Sequence, residues 1–162
     1  MMLDVVGVLA SLAIALTSVA FSHYIAQKIK FKSNLRGLVT ELKYNLEVLE
    51  DIRVFLMQDE EAEREEGKQA VVTFPRACRF AFDYFVVEGH LLKVPEKVKK
   101  ELLDIYRSFD IINWLIDHYL ETKYGILYVT DHAVKMRRAI RATLTGQVIA
   151  TERMVKNFLK AI

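Results

Sequence analysis

The stretch "LRGLVTELKYNLEVLEDIRVFL", residues 35–56, carries a leucine at every seventh position. Leu38 and Ile52 fill the intervening half of each repeat, and Asn45 interrupts it, so that one face of an α-helix becomes largely apolar. The complete seam is Leu35, Leu38, Leu42, Asn45, Leu49, Ile52 and Leu56. Such a seam packs either against a second copy of the chain, as in a coiled coil, or against another helix of the same chain.

Two features of the sequence favour packing within the chain. Val39 and Leu46 widen the apolar stripe beyond the two positions per heptad of a coiled coil, which is typical of a bundle helix. A second stripe of nearly the same length is formed by Val98, Leu102, Ile105, Phe109, Ile112, Ile116 and Tyr119. An oligomer seam stays as the alternative, because a buried asparagine such as Asn45 can fix the register of a coiled coil.

Proline and glycine indicate where the other helices begin and end. We predict that Pro75 lies in the first turn of a helix that ends at Gly89, and that Pro95 opens a helix ending near Lys123. A last helix is predicted over residues 128–159. No useful length of sequence alternates with the period of two that is typical of strands, so the predicted fold class is all-α.

The beginning of the chain is a candidate membrane span. Residues 5–21, "VVGVLASLAIALTSVAF", contain no charged residue, and the next charge is Lys28. About 20 residues of helix extend roughly 30 Å, the thickness of a bilayer core. We predict a transmembrane anchor at residues 1–27 and a bundle of about four helices at residues 28–162. A signal peptide cleaved after residues 18–20 and a buried core helix are the alternatives.

The charges around the span predict its orientation. Asp4 precedes the span, and Lys28, Lys30, Lys32 and Arg36 follow it. Because basic residues are retained on the cytoplasmic side, we expect a single-pass protein of the cell membrane with its N-terminus outside and its bundle in the cytoplasm. At this depth the four basic side chains would contact anionic lipid headgroups. The chain's one cysteine agrees with a reducing compartment.

Small residues recur along one face of the predicted span. They are Gly7, Ser11, Ala15, Ser18 and Ser22, spaced three or four positions apart. Small side chains allow two helices in a membrane to approach closely, so this face is a candidate for helix packing. Small residues are frequent throughout the segment, which is the simpler explanation of the pattern.

Residues 35–120 combine three patterns: an E-L-x-x-N-L-x-x-L helix, an aromatic helix that ends in glycine, and a P-x6-L-x3-Y helix that closes in Ile-Asn. The matching positions are Glu41, Leu42, Asn45, Leu46, Leu49, Gly89, Pro95, Leu102, Tyr106 and Asn113. In this order of features the chain resembles a diffuse group of membrane-anchored α-helical proteins without an assigned activity. The resemblance implies the same architecture, an anchor followed by a helical domain, and adds no function.

Few residues suggest catalysis. His118, Glu121, Asp131 and His132 could assemble a metal-dependent enzyme site in the bundle, but they form neither an E-x-x-H nor an H-E-x-x-H pattern. We expect solvated helix ends there, and neither a metal nor another cofactor. Cys78 is predicted to lie in the first turns of its helix between two arginines, where a thiol is activated; packing beside Phe82 and Phe85 is the favoured interpretation.

Basic residues concentrate in the last helix, at Lys135, Arg137, Arg138, Arg141, Arg153, Lys156 and Lys160. A basic face that binds nucleic acid is expected to have aromatic or glycine residues interleaved with its basic ones, so we consider nucleic acid an unlikely partner. The favoured counterparts are the acidic segment at residues 59–66, anionic lipid or solvent. That segment belongs to a predicted acidic loop over about residues 58–72, either mobile or following a frayed helix end.

These patterns predict a membrane-anchored binding, assembly or accessory subunit that acts by recruitment, with membrane lipid and a protein partner or a second copy as its partners. The anchor would confine the bundle to the membrane and raise its effective concentration there. One alternative is a membrane-tethered effector that acts on oligomerisation or perturbs the bilayer. Another is the metal-dependent enzyme. The sequence does not predict whether a small molecule binds.

Overall fold

The computed structural model describes residues 2–64, 73–124 and 131–162. Its four α-helices are α1 (Met2–Arg64), α2 (Phe80–Val87), α3 (Glu96–Tyr124) and α4 (Asp131–Ala161), with a 3-10 helix at His90–Lys93. No strand occurs in the described ranges, and the all-α prediction is confirmed.

The chain divides into two compact units, Met1–Gly37 and Leu38–Ile162. In the first unit, residues 10–30 of α1 are all exposed, and large apolar side chains are among them. Within the described residues, no helix combines the length and the apolar character that crossing a membrane requires. The helix assigned as α1 is unbroken from Met2 to Arg64, so no helix boundary separates the predicted anchor from the leucine seam.

In the second unit, hereafter the bundle, α1 and α3 run in the same direction. Glu41 of α1 contacts Tyr106 of α3, and further along both helices Asp59 contacts Tyr119 and Lys123. We call the end of the bundle at Leu38 the proximal end, and the end at Asp59 the distal end.

The chain returns from the distal end to the proximal end through residues 73–79 and α2. Phe74 packs edge-on against Tyr119, with ring centroids 5.6 Å apart, and Phe82 stacks on Tyr106 at 4.0 Å. The prediction that Pro75 lies in the first turn of a helix is wrong, because residues 73–79 are not helical and α2 begins only at Phe80. The backbone of this segment is bound by side chains of the neighbouring helices instead of by its own carbonyl groups.

Gly89 terminates α2 as predicted. Its φ of 68° lies in the left-handed region, which favours glycine, and its N–H bonds the Val86 carbonyl at 2.9 Å. The 3-10 helix follows, and α3 begins at Glu96, directly after Pro95. The predicted end of α3 near Lys123 agrees with its observed end at Tyr124. The last helix was predicted to begin at residue 128, which lies outside the described residues, and its predicted end at residue 159 is close to the observed end at Ala161.

Helix α4 packs antiparallel to α3. Near the proximal end, Ile105 of α3 and Phe158 of α4 line the same shallow groove, whereas Arg141 in the first half of α4 reaches Glu63 near the distal end. The largest fully buried side chains of the bundle are Tyr106, Tyr119, Phe85, Phe109, Leu38, Leu42, Leu49, Ile52, Leu102, Ile105, Ile112 and Ile116.

The leucine seam lies inside this core. Leu35 is half-buried, while Leu38, Leu42, Asn45, Leu49 and Ile52 are fully buried and Leu56 is 2% exposed. These side chains are covered by the chain's own helices, so a second copy is not needed to remove the stripe from water.

Candidate functional site

A buried carboxylate near the proximal end caps helix α2 from a neighbouring helix. Glu41 accepts hydrogen bonds from the backbone N–H groups of Ala81 (2.6 Å) and Phe82 (3.2 Å), and from the hydroxyl of Tyr106 (2.6 Å). The first N–H groups of a helix have no partner within it, and the helix dipole favours a negative charge there. Burial raises the pKa of Tyr106, and the Glu41 carboxylate adds to the rise, so the hydroxyl stays protonated and donates.

Two asparagines hold the extended segment next to α2 from opposite sides. The side-chain amide of Asn45 accepts from the Cys78 N–H (2.8 Å) and donates to the Cys78 carbonyl (2.7 Å). Asn113 forms the same pair of bonds with Ala77, at 3.1 and 2.9 Å. Each amide thus replaces the partner that a neighbouring strand would supply. We call Glu41, Asn45 and Asn113 the staple residues, because they fix residues 77–82 between α1 and α3.

Two arginines secure the same segment at the surface. Arg76 donates to the Asn113 carbonyl (2.6 Å) and pairs with Asp117, whereas Arg79 pairs with Asp83 (2.9 Å) and with Asp110 (2.5 Å). The Arg76 guanidinium lowers the pKa of Asp117. These side chains are largely exposed, so each pair contributes at most about 1 kcal/mol.

A second polar cluster lies inside the distal end. The Asp59 carboxylate accepts hydrogen bonds from the Tyr119 hydroxyl and from the Lys123 ammonium. Asp59 and Lys123 are each only 5% exposed. Burial raises the pKa of Tyr119, and Asp59 adds to the rise, so that the hydroxyl remains a donor. Two opposite charges are therefore buried together, an arrangement that depends on both partners.

Glu63 links the same end of α1 to α4. It pairs with Arg141 and, at 3.1 Å, with Arg137; Arg138 lies 3.6 Å away. The prediction that basic residues of the last helix find acidic partners within residues 59–66 is confirmed for these three arginines. A cavity of about 730 Å³ opens beside the cluster, lined by Glu60, Glu63, Arg138, Arg141, Ala142 and Thr145. Its charges of both signs pair largely with one another.

The Glu63 cluster predicts a component of acid denaturation. Burial alone would raise the pKa of Glu63, but hydrogen bonds from Arg141 and Arg137 outweigh it and hold the pKa below its ordinary value of 4.5. A carboxyl group whose pKa is lower in the folded than in the unfolded state stabilises the fold at pH values above its unfolded pKa. This stabilisation is lost as the pH falls through the pKa of the folded state. We therefore expect Glu63→Gln to be less stable than the unsubstituted chain at neutral pH and to lose less stability on acidification below pH 4.5.

Urea denaturation across a pH series measures both effects. The matched control is Glu61→Gln, since Glu61 is exposed on the same helical turn. Among the described contacts, these arginines pair with Glu63 and not with Glu61. Parallel pH profiles for Glu63→Gln and the unsubstituted chain would contradict the prediction.

The residues predicted to act at the membrane are all exposed in the first unit. This holds for the small residues Gly7, Ser11, Ala15, Ser18 and Ser22, and for the basic residues Lys28, Lys30, Lys32 and Arg36.

The described contacts of His118 are with Trp114 and not with the polar clusters. The His118 ring lies over Trp114, with centroids 4.0 Å apart, and its Nδ1 is 3.1 Å from the Trp114 carbonyl oxygen. In the ranges that the structure describes, no three His, Cys, Asp or Glu side chains converge as a metal site would require. Glu121 and His132 are exposed, and the side chain of Asp131 lies outside the described residues.

Cys78 is not in a helical first turn, contrary to the prediction, but in the extended segment before α2. Its side chain is half-buried. Burial raises the pKa of the thiol, and the nearby Glu41 carboxylate raises it further. Both effects favour the unreactive thiol over the nucleophilic thiolate.

The buried contacts of Glu41, Asp59 and Lys123 were not predicted from the sequence, although the spacing of these three residues contains a signal. Glu41 follows Leu38 by three positions, Asp59 follows Leu56 by three, and Lys123 follows Tyr119 by four. Each charged residue therefore continues an apolar stripe on the same face of its helix. A charge at such a position indicates a buried polar contact rather than a solvated surface.

Comparison with protein-family models, with curated proteins and with solved structures finds no match for this chain.

Proposed function

We propose that the protein is a membrane-anchored helical bundle that acts as a binding or assembly subunit. The observation that carries the proposal is the exposed apolar surface of the first unit. Leu12, Ile14, Leu16, Val19 and Phe21 are each more than half exposed. Because these positions lie on two opposite sides of α1, no single helix packed on one side would cover them, whereas a lipid environment would.

The charges at the end of this surface support the same proposal. Lys28, Lys30, Lys32 and Arg36 are exposed where the apolar segment ends, and a row of basic residues is favoured at an anionic, cytoplasmic membrane surface. We therefore propose a single span in the cell membrane, with the N-terminus outside and the bundle inside.

The role of the bundle is recruitment of a protein partner to the membrane. In support, Trp114 is 56% exposed and Tyr44 is 51% exposed on the outer faces of α3 and α1. Exposed aromatic side chains are enriched at protein interfaces. Confinement by the anchor raises the effective concentration of such a surface towards partners at the same membrane.

Charge substitution in the anchor tests the proposal. Each arginine placed at the centre of a span opposes insertion by about 2.5–3.5 kcal/mol. We expect the full chain to remain with the membrane after alkaline extraction and to float with liposomes, and Leu16→Arg/Val19→Arg to be released into the soluble fraction. Gln27→Arg is the control, because it adds the same charge at the headgroup level and should stay bound.

Orientation is measured on the same membranes with a single-cysteine chain, Cys78→Ala/Thr143→Cys, since Thr143 is exposed on α4. A membrane-impermeant maleimide should label position 143 only after the cells are opened. Labelling of intact cells would contradict the orientation, and a chain released by alkali without any substitution would contradict the anchor itself.

A further inference from the structure

The proximal end of the bundle is formed by the end of α2, the 3-10 helix and the start of α3. Tyr106 lies level with Glu41 because the two side chains are hydrogen-bonded. Helix α3 begins ten residues before Tyr106, which places its first turn about 15 Å beyond that level at 1.5 Å per residue. The end of α2 and the 3-10 helix precede this turn in the chain and lie at the same end.

Apolar and basic side chains lie together at this end. Val87 is 83% exposed and Leu92 is 81% exposed, more than the other exposed large apolar side chains of the bundle apart from Phe80. Lys93, Lys97 and Lys100, which follow in the 3-10 helix and the first turns of α3, are exposed as well. We call these five residues the proximal surface. Two carboxylates, Glu88 and Glu96, lie between them in sequence. Glu96 pairs with Lys99 at 3.2 Å, so its charge is offset.

We propose that the proximal surface docks onto the anionic lipid surface of the membrane, as a second contact beside the anchor. The proposal rests on the proposed function, since the anchor must first bring the bundle to the membrane. Val87 and Leu92 would enter the headgroup boundary, and the three lysines would keep their ammonium groups among the anionic headgroups. The bundle is thereby held in one orientation, which leaves its outer α3 surface open to partners.

Chain connectivity favours lipid as the occupant. Leu38, the first residue of the bundle, follows Lys28 by ten residues, or about 15 Å of helix. The chain therefore enters the bundle a short distance in sequence after the basic residues of the first unit, which are proposed to contact the headgroups. A second copy is less suitable, because a two-fold interface would place the same three lysines opposite one another.

The experiment uses an environment-sensitive fluorophore on the full chain in vesicles. The label is attached at Leu92→Cys in the Cys78→Ala chain, and a control label is attached at Met57→Cys, which is exposed on α1 towards the distal end. The probe vesicles are phosphatidylcholine alone and phosphatidylcholine mixed with phosphatidylserine. We expect blue-shifted emission, quenched by headgroup-level spin-labelled lipid, at position 92 in the anionic vesicles and not at position 57.

Neutralising the lysines supplies a graded test. Because each lysine near an anionic surface contributes about 1 kcal/mol, each of Lys93→Gln, Lys97→Gln and Lys100→Gln should lower the docking equilibrium constant by about fivefold. Lys43→Gln is the control, since Lys43 is exposed on α1 outside the proximal surface, and should leave the constant unchanged.

Flotation of the same samples separates the two proposals. If the chains float but the emission at positions 92 and 57 is the same in neutral and in anionic vesicles, docking is overturned and the anchor proposal stands. Chains that fail to float would overturn both. A shift at position 92 that is independent of lipid charge and grows with the protein-to-lipid ratio would assign the surface to a second copy and overturn docking.

Discussion

Replacing Leu42 and Leu49 by aspartate is expected to unfold the bundle, not to separate two folded copies. Both side chains are 0% exposed, so each substitution places an unpaired carboxylate in the core, a change among the most destabilising known, at about 4–5 kcal/mol or more. Their sum, about 8–10 kcal/mol, is comparable to the total stability of a typical domain, about 5–15 kcal/mol. The measurement is urea denaturation of the full chain in mild detergent, followed by near-ultraviolet circular dichroism and Trp114 fluorescence.

The control substitutions introduce the same charge on the outer side of the same helix. Val54 is 43% exposed and Met57 is 59% exposed, so Val54→Asp and Met57→Asp should each change the unfolding free energy by about 0.5 kcal/mol or less. The opposite result would be a Leu42→Asp/Leu49→Asp chain that unfolds cooperatively at the original urea concentration but has a smaller mass by light scattering. The leucine seam would then lie between copies.

Periodic patterns predicted the helices because each pattern is local. The stripe from Leu102 to Tyr119 repeats three and four apart, and its members are buried in α3. Gly89 and Pro95 act through their own backbones, so the helix end and the helix start beside them could also be read from the sequence.

The segment around Pro75 could not be predicted in the same way. Its conformation depends on hydrogen bonds from residues that are distant in sequence. Asn45 lies 33 positions before Cys78, to which it is bonded, and Asn113 lies 36 positions after Ala77, to which it is bonded. Proline at the first turn of a helix is a local preference, and long-range hydrogen bonds to the backbone override it. Asn45 illustrates the limit: its burial was predicted from its position in the seam, but not its partner.

The buried contacts of Glu41 and Asp59 were not predicted from the sequence, because charged residues are usually solvated. The exception at the distal end follows from a match between helices that no single helix reveals. Asp59 becomes buried only where α3 presents both a hydroxyl and an ammonium group to it. Spacing shows that such a residue is on the inner face, and only the fold shows what neutralises it.

Removing Asp59 should therefore be far more costly than its single negative charge suggests. In Asp59→Ala, Lys123 stays 5% exposed without its carboxylate partner and the Tyr119 hydroxyl loses its acceptor. Breaking a buried ion pair on one side destabilises a protein by about 3–5 kcal/mol. We expect a loss of that size in urea denaturation, with the anchor-dependent flotation unchanged.

The double variant Asp59→Ala/Lys123→Met distinguishes the pair from its surroundings. Because an apolar replacement of both partners is often neutral, it should recover most of the stability lost in Asp59→Ala, giving a coupling energy of about 2–3 kcal/mol. Glu61→Ala, at an exposed position on the same turn, is the control and should change stability by about 0.5 kcal/mol or less. Additive losses in the double variant would show that Asp59 and Lys123 do not stabilise each other. A recovery would show instead that each charge is tolerated only beside the other, and that the distal end can fold with neither.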